Sequence, residues 1–198
     1  MVISHAHKFV ILGIPKTASR SVSKMLRDYA DVEESVLPAS PFYTHTTAEK
    51  LREEFAARGW DWESYVKAAI VRNPWDRFLS AINYIKADHK DLVKKFGGSD
   101  HRLFRKILRN WPAQFDYFTV DLGLPMVDQI IQFENIDEGL AAFMSAVGLP
   151  EGIKLPHINP STRGVKSEDV YSDVTIKAVG HKEWRVIDMF DYKFEQNY

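Results

Sequence analysis

Three short strand-like segments, each followed by a helical pattern, constrain the fold of this chain more than any other feature. Two of them, Phe9–Leu12 and Ala68–Val71, are unbroken apolar runs, and the third, 129–133, also reads as a strand. An apolar run without alternation is typical of a strand buried on both faces, as in parallel sheets covered by helices. After the first run, apolar residues recur at helical spacing, at Val22, Met25, Leu26 and Tyr29. This order predicts an α/β fold with a central, mainly parallel sheet flanked by helices.

Helix starts are marked by capping residues. Asn73 before Pro74 is a strong start, because Asn caps well and Pro suits the first helical position. Asn135 followed by Glu138 has the spacing of a capping box. The polar stretch 86–99, which contains two adjacent glycines, predicts a mobile loop rather than an ordered element.

Composition narrows the class of protein. A chain of 198 residues with 45% hydrophobic and 27% charged residues predicts a single domain over 1–198. A net charge of -1 gives no general field for nucleic acid, so no nucleic-acid partner is expected. The absence of cysteine excludes disulfides and thiolate zinc sites. With no apparent signal peptide or membrane span, we expect a cytoplasmic protein, although a form trimmed of a membrane anchor would look the same.

The segment from Gly13 to Ser21 follows the first strand and opens a helix. Such a loop directs backbone N–H groups at an anion, and Lys16 adds a positive charge. It is not a Walker A loop, because Ile14 and Pro15 precede the lysine where glycine is required. No acidic strand end that would hold Mg²⁺ is evident, so a metal-independent phosphate site is indicated. An ordinary strand-to-helix turn with a solvated lysine is the competing interpretation.

A second segment favours the phosphate interpretation. Arg72 directly follows the second predicted strand, and Ser80 lies two turns into the next helix. Ligands of parallel sheets bind beyond the carboxyl ends of the strands, so both predicted loops should meet there. An arginine can grip a phosphate with two N–H groups, and the serine can donate to the same group. A structural ion pair between Arg72 and Asp76 is the alternative, and the two interpretations are compatible.

Together, the two segments resemble the donor-binding signatures of sulfotransferases that use 3′-phosphoadenosine-5′-phosphosulfate (PAPS). The resemblance extends to the carbohydrate branch, which includes the heparan 2-O type and many bacterial relatives. It is carried further by Phe42–Ala48, Phe133–Asn135, Leu155–Asn159 and the closing Phe190-x-Tyr192-x-Phe194. It covers the chain from about Phe9 to Phe194 and implies a P-loop NTPase-like three-layer fold.

The resemblance also implies roles for particular residues. Lys16 stabilises the leaving phosphate and His45 acts as the base, so these two are the expected catalytic residues. The expected PAPS-binding residues are Lys16, Thr17, Ala18, Ser19, Arg20, Ser21, Arg72, Ser80 and Arg163. No metal is expected, and the acceptor would be a hydroxyl-bearing molecule, namely a glycan. The oligomeric state is left open.

Two departures from the family pattern qualify these assignments. Arg20 stands where relatives usually carry a small hydroxyl residue, so one phosphate contact is altered or replaced by a cation. The loop after His157 is less rich in lysine than in relatives, which weakens the carry-over to Arg163.

The other histidines have plainer interpretations. Of the seven in the chain, His5 and His7 precede the first predicted strand and are expected to be solvated. His157 is expected to be a satisfied loop residue near the site.

Two other functions compete with sulfuryl transfer. One is a P-loop kinase acting on a small molecule, which would need a Walker A lysine and a magnesium site. The other is a non-catalytic nucleotide-binding or interaction module on the same scaffold.

Overall fold

The computed structural model describes residues 1–95, 97–120, 123–156 and 164–195. In chain order the strands and helices are β1 (Val2–Ser4), β2 (Phe9–Leu12), α1 (Ser19–Met25), α2 (Ala48–Ala57), β3 (Val66–Val71), α3 (Pro74–Asp88), α4 (Lys90–Lys95), α5 (Asp100–Asn110), β4 (Gln129–Gln132), α6 (Ile136–Ala146), α7 (Ser167–Val170), α8 (Asp173–Lys182) and α9 (Trp184–Phe190).

The chain divides into two compact units. The first comprises Met1–Val71 and Gln114–Ile158, and the second comprises Arg72–Ala113 and Asn159–Tyr198. The first unit holds the sheet, and the second is helical in its described part. Whether the two units form the single domain predicted from the sequence stays a prediction.

The sheet of the first unit is open and mainly parallel, with strand order β1-β2-β3-β4. β2 pairs with β3 and β3 pairs with β4 in parallel, whereas β1 pairs with β2 antiparallel. The predicted α/β architecture is therefore confirmed. Sequence reasoning missed β1, because Val2 and Ile3 lie in a segment that otherwise reads as polar.

One face of the sheet is covered within this unit by α1 and α6. Phe9, Ile11, Ala68 and Ile70 on the strands pack with helix residues, chiefly Val22, Leu26, Leu140, Phe143 and Met144. α6 lies close to β4 because Gly139 has no side chain. A Cβ there would lie 2.4 Å from Cγ2 of Ile131. The opposite face is also buried, as predicted for runs without alternation, at Ile3, Val10, Leu12, Ala69 and Val71.

The helix starts predicted from the sequence have mixed outcomes. Asn73 caps α3 by accepting a hydrogen bond from the backbone N–H of Trp75, at 3.2 Å. Asn135 precedes α6 but makes no side-chain cap, so the predicted capping box is wrong. Residues Phe133–Asn135 form a 3₁₀ turn, which leaves Asn135 at φ -123° and ψ 37° instead of the extended conformation of a cap.

The predicted loop at 86–99 is also wrong for most of its length. α3 continues to Asp88 and α4 occupies Lys90–Lys95, before a turn at Gly97 and Gly98. Both glycines have positive φ, which explains why the helical conformation ends there. No helix in the described ranges is long and apolar enough to cross a membrane.

Candidate active site

The loop between β2 and α1 has an unusual backbone. Lys16 and Ala18 adopt left-handed conformations, with φ of 69° and 64°, although neither is a glycine. A residue with a Cβ pays about 1–2 kcal/mol for this conformation. Left-handed residues in a turn direct backbone N–H groups into a shared concavity that suits an anion. The loop predicted to hold phosphate therefore carries backbone strain of the kind found at functional sites.

The hydroxyl groups of this loop fall into two classes. Thr17 is buried, and its hydroxyl donates to the carbonyl of Ile14 at 3.1 Å, so this side chain braces the loop itself. Ser19 and Ser21 lie at the start of α1, and Ser21 is only 7% exposed. Among the described residues, neither serine hydroxyl has a recorded hydrogen-bond partner. The two serines are thus the hydroxyl donors of this loop suited to a ligand.

Lys16 and Arg20 differ in burial. Lys16 is half-buried within the turn, whereas Arg20 is exposed in the first turn of α1. Both residues interact with other parts of the protein. Lys16 is therefore the cation built into the loop, and Arg20 stands at its rim.

His45 is held against this loop. Its Nδ1 atom lies 2.6 Å from the carbonyl oxygen of Gly13. A carbonyl oxygen only accepts, so Nδ1 carries the proton, and in neutral imidazole Nε2 is then the basic nitrogen. The ring is half-buried, and the ring of Tyr43 packs edge-on against it, with 5.5 Å between centroids. The structure thus brings together His45 and the loop of Lys16.

Gly13 makes this approach possible. A Cβ at position 13 would lie 2.0 Å from the carbonyl oxygen of Thr44, so any larger residue would displace the segment that carries His45. Sequence reasoning placed Gly13 at the end of the first strand and the start of the phosphate loop, and it did not predict this close approach. A glycine directly after a buried strand was the available signal for a close backbone approach.

Glu34 anchors the other side of the His45 segment. Its carboxylate accepts from the hydroxyls of Thr44 at 2.7 Å and Ser23 at 2.6 Å, and pairs with the amine of Met1 at 2.7 Å. Burial by itself raises the pKa of Glu34, but the charge of the amine and these hydrogen bonds outweigh it and lower the pKa below its ordinary value. Glu34 is therefore ionised at neutral pH and ties Thr44 to α1.

The predicted 3′-phosphate residues lie in the second unit. The guanidinium of Arg72 pairs with Asp76 through Nε at 2.7 Å and Nη2 at 2.5 Å, both to Oδ2. The ion pair considered as an alternative from the sequence is therefore present. The ion pair holds one edge of the guanidinium at the start of α3. The side chain of Arg72 is only 12% exposed.

Ser80 and Asn83 lie further along α3. Ser80 is 6% exposed, and within the described part of the chain its hydroxyl has no recorded partner. Asn83 accepts from the backbone N–H groups of Gly164 and Val165 at 3.0 and 2.8 Å, and donates to the carbonyl of Val165 at 3.2 Å. Asn83 thus ties Gly164 and Val165, the first described residues after Arg163, to α3.

Some predicted residues fall elsewhere. His157 and Arg163 lie outside the described residues. His5 is not simply solvated, since Nδ1 lies 2.6 Å from the hydroxyl of Tyr65 and the ring packs against Trp60. No cluster of histidine, aspartate or glutamate suited to a metal occurs among the residues that the structure describes.

A comparison with protein families identifies the family of this chain. A model of the sulfotransferase family, in its family 2 form, matches residues 1–111, which is more than half of the chain. The chain therefore belongs to the sulfotransferase family. No curated protein and no solved structure gives a significant match.

Proposed function

We propose that this chain transfers the sulfuryl group of PAPS to a hydroxyl of a carbohydrate acceptor. The observation that carries the proposal is the 2.6 Å contact between Nδ1 of His45 and the Gly13 carbonyl, which joins a base to the loop of Lys16. Sulfuryl transfer needs both a base for the attacking hydroxyl and positive charge at the leaving oxygen. The P-loop NTPase-like three-layer arrangement is part of the same proposal.

His45 takes the acceptor proton in this mechanism. Because Nδ1 donates to Gly13, the proton goes to Nε2, and the imidazolium that forms is stabilised by the same carbonyl. PAPS supplies the sulfuryl group: its bond from sulfur to the phosphate oxygen breaks as the bond from sulfur to the acceptor oxygen forms. Lys16 stabilises the negative charge that develops on that phosphate oxygen. Such in-line transfer depends chiefly on positioned cations and N–H donors.

The remaining predicted residues hold the donor. The backbone N–H groups of 17–21 and the hydroxyls of Ser19 and Ser21 would bind the 5′-phosphate, with Arg20 at the rim. Arg72 and Ser80 would bind the 3′-phosphate, and Arg163 is assigned to the same phosphate from the resemblance alone. The fit is supported by two nearly buried serines, Ser21 and Ser80, whose hydroxyls lack a recorded partner in the described residues. Each hydroxyl can therefore donate a hydrogen bond to a bound phosphate oxygen.

The carbohydrate acceptor rests on the resemblance around His45. Phe42 belongs to this segment, and its ring stacks with that of Trp60, with 6.1 Å between centroids. The guanidinium of Arg58 lies over both rings. Aromatic faces are suitable surfaces for sugar rings, although these rings also pack against Phe55. Incubation with labelled PAPS and a panel of glycans, phenols and simple alcohols should label glycans. Labelling of phenols alone would contradict the acceptor class and leave the reaction type standing.

Thermal unfolding with nucleotides tests the donor. We expect adenosine 3′,5′-bisphosphate (PAP) to raise the melting temperature without any metal, and ATP with Mg²⁺ to have little effect. Stabilisation by ATP with Mg²⁺ instead would indicate a kinase, and no effect of either would indicate a non-catalytic module. A matched variant, Lys16→Ala, should lower turnover by about 10²–10³-fold if the lysine stabilises the leaving oxygen.

A further inference from the structure

The part of the chain from 164 to 195, called here the tail segment, contacts the first turn of α3. Asn73, at the start of that turn, donates through Nδ2 to the carbonyl of Lys193 at 2.9 Å. Nε1 of Trp75 donates to the carbonyl of Ile176 at 3.2 Å, and the hydroxyl of Tyr171 donates to the carbonyl of Trp75 at 2.6 Å. The tail segment therefore satisfies groups on several sides of one helical turn.

Further contacts of the tail segment are ionic and aromatic. Nη1 of Arg77 pairs with Glu183 at 2.7 Å, and both side chains are fully buried. The ring of Phe194 lies against Trp75, with 6.0 Å between centroids, and against Tyr171, with 5.2 Å. Helix ends open readily unless such contacts hold them. The tail segment lies beyond residues 1–111, which the family model matches.

The turn held in this way carries Arg72. Arg72 directly precedes Asn73, and its guanidinium is bonded to Asp76 of the same turn. Ser80 follows one turn after Asp76 on the same helix. Any opening of the first turn would move Asp76 relative to the guanidinium, because the Arg72–Asp76 pair is formed between neighbours on that turn.

We infer that the tail segment is a clamp that sets Arg72 and Ser80 in register for the 3′-phosphate of the donor. This inference rests on the proposed function. Asn73 and Tyr171 act as positioning residues, since neither has to touch the donor itself. Because of the clamp, the protein binds a 3′-phosphorylated nucleotide more tightly than one that has only a 5′-phosphate.

Two charge-neutral variants open the clamp with little other change. Asn73→Ser keeps an oxygen that can cap α3 but removes the amide that reaches Lys193. Tyr171→Phe removes only the hydroxyl that donates to Trp75. Tyr29→Phe is the matched control, because Tyr29 lies in the first unit, where its ring packs on His7.

Calorimetric affinities for PAP and for adenosine 5′-phosphate give the discriminating measurement. We expect each clamp variant to lose about threefold to tenfold in PAP affinity, the size of one hydrogen bond, with adenosine 5′-phosphate affinity changed less than about twofold. The control should retain the wild-type ratio of the two affinities. Unchanged ratios, or equal losses for both ligands, would overturn the inference.

Hydrogen exchange separates failure of the clamp from failure of the proposed function. Backbone amides of residues 75–80 should exchange about threefold to tenfold faster in Asn73→Ser and Tyr171→Phe than in the wild type without any ligand. Unchanged exchange overturns the clamp whatever the protein binds. If exchange accelerates but the wild type shows no preference for PAP, the proposed function fails, and the assignment of the clamp to a 3′-phosphate fails with it.

Discussion

His45 illustrates how much of the candidate chemistry depends on a single contact. Its role as a base was predicted from the resemblance of residues 42–48 to the carbohydrate sulfotransferases. The hydrogen bond to Gly13 adds which nitrogen is basic, since the carbonyl requires a proton on Nδ1. The assignment of Nε2 could not have been made from the sequence, because Gly13 and His45 are 32 residues apart.

We predict that His45→Ala lowers sulfuryl transfer by about 10²–10⁴-fold, the usual contribution of a general base. PAP affinity should be unchanged, because the alanine removes no group assigned to the donor. Turnover with labelled PAPS and calorimetry with PAP measure the two quantities. His101→Ala, on an exposed position of α5, is the control. An active His45→Ala enzyme would disprove the assignment of the base.

For Arg72, the proposed binding of the 3′-phosphate can be separated experimentally from the ion pair with Asp76. We predict that Arg72→Ala weakens PAP binding by about tenfold or more, because a hydrogen bond to a charged group contributes about 1.5–3 kcal/mol. Binding of adenosine 5′-phosphate should weaken much less. Arg105→Ala, an exposed arginine on α5 in the same unit, should change neither affinity. Equal losses for both nucleotides would mean that Arg72 serves only its pair with Asp76.

At the scale of elements, the hairpin of β1 and β2 is held by a single carboxylate. Oδ2 of Asp31 accepts from the backbone N–H groups of His5 and Ala6 and from the hydroxyl of Ser4. The hydrogen bond from Ala6 is the largest cause of a lowered pKa for Asp31. Burial opposes this effect by raising the pKa. The hydrogen bonds from His5 and Ser4 and the charge of His5 lower the pKa further, so the net change is downward.

This lowered pKa predicts a pH dependence of stability. The folded state favours the carboxylate form of Asp31. Its contribution to stability is therefore fully present above pH 3.8, the ordinary pKa of the group, and is lost as the pH falls through the lower pKa of the folded state. Because Asp31 is exposed and solvent screens its charge, we predict that Asp31→Asn lowers the free energy of unfolding by only about 0.5–1 kcal/mol at pH 7. Urea unfolding at pH 7 and near pH 3 should show the difference between the proteins shrinking in acid. A constant difference would contradict the prediction.

The elements differ in how well their sequence predicted them. β2, β3 and α3 carry strong local signals, namely apolar runs for the strands and Asn73 as the cap of the helix. α4 lacks such a signal, because its residues are mostly polar and it follows directly on α3. Ala18 was also unpredictable, since a left-handed residue with a Cβ is tolerated only when the surrounding structure imposes it.

At the scale of the whole molecule, the second unit is held by the pair of Arg77 and Glu183. These residues are 106 positions apart, and both side chains are fully buried. Burying two charges is costly, and removal of one partner leaves the other uncompensated. The pair therefore makes the tail segment and α3 depend on each other for stability.

We predict that Arg77→Met lowers the free energy of unfolding by about 3–5 kcal/mol, and that adding Glu183→Leu restores most of the loss. Denaturant unfolding of the single and double variants measures both values. Lys166→Met, which removes an exposed pair with Glu168, should cost less than about 1 kcal/mol. A double variant no more stable than Arg77→Met would show that the buried charge is not the cause.

The sequence by itself determined the α/β class, the main strands and helices, and the family, because these depend on local periodicity, capping and contiguous motifs such as 13–21 and 72–80. Only the tertiary structure decided that β1 joins the sheet, that His45 binds Gly13 through Nδ1, and that the tail segment holds the first turn of α3. β1 pairs with the nearby β2 but lies in a segment that otherwise reads as polar. The other two depend on hydrogen bonds between residues distant in the chain. Such contacts follow from the packing of the folded chain and leave no regular pattern in the sequence.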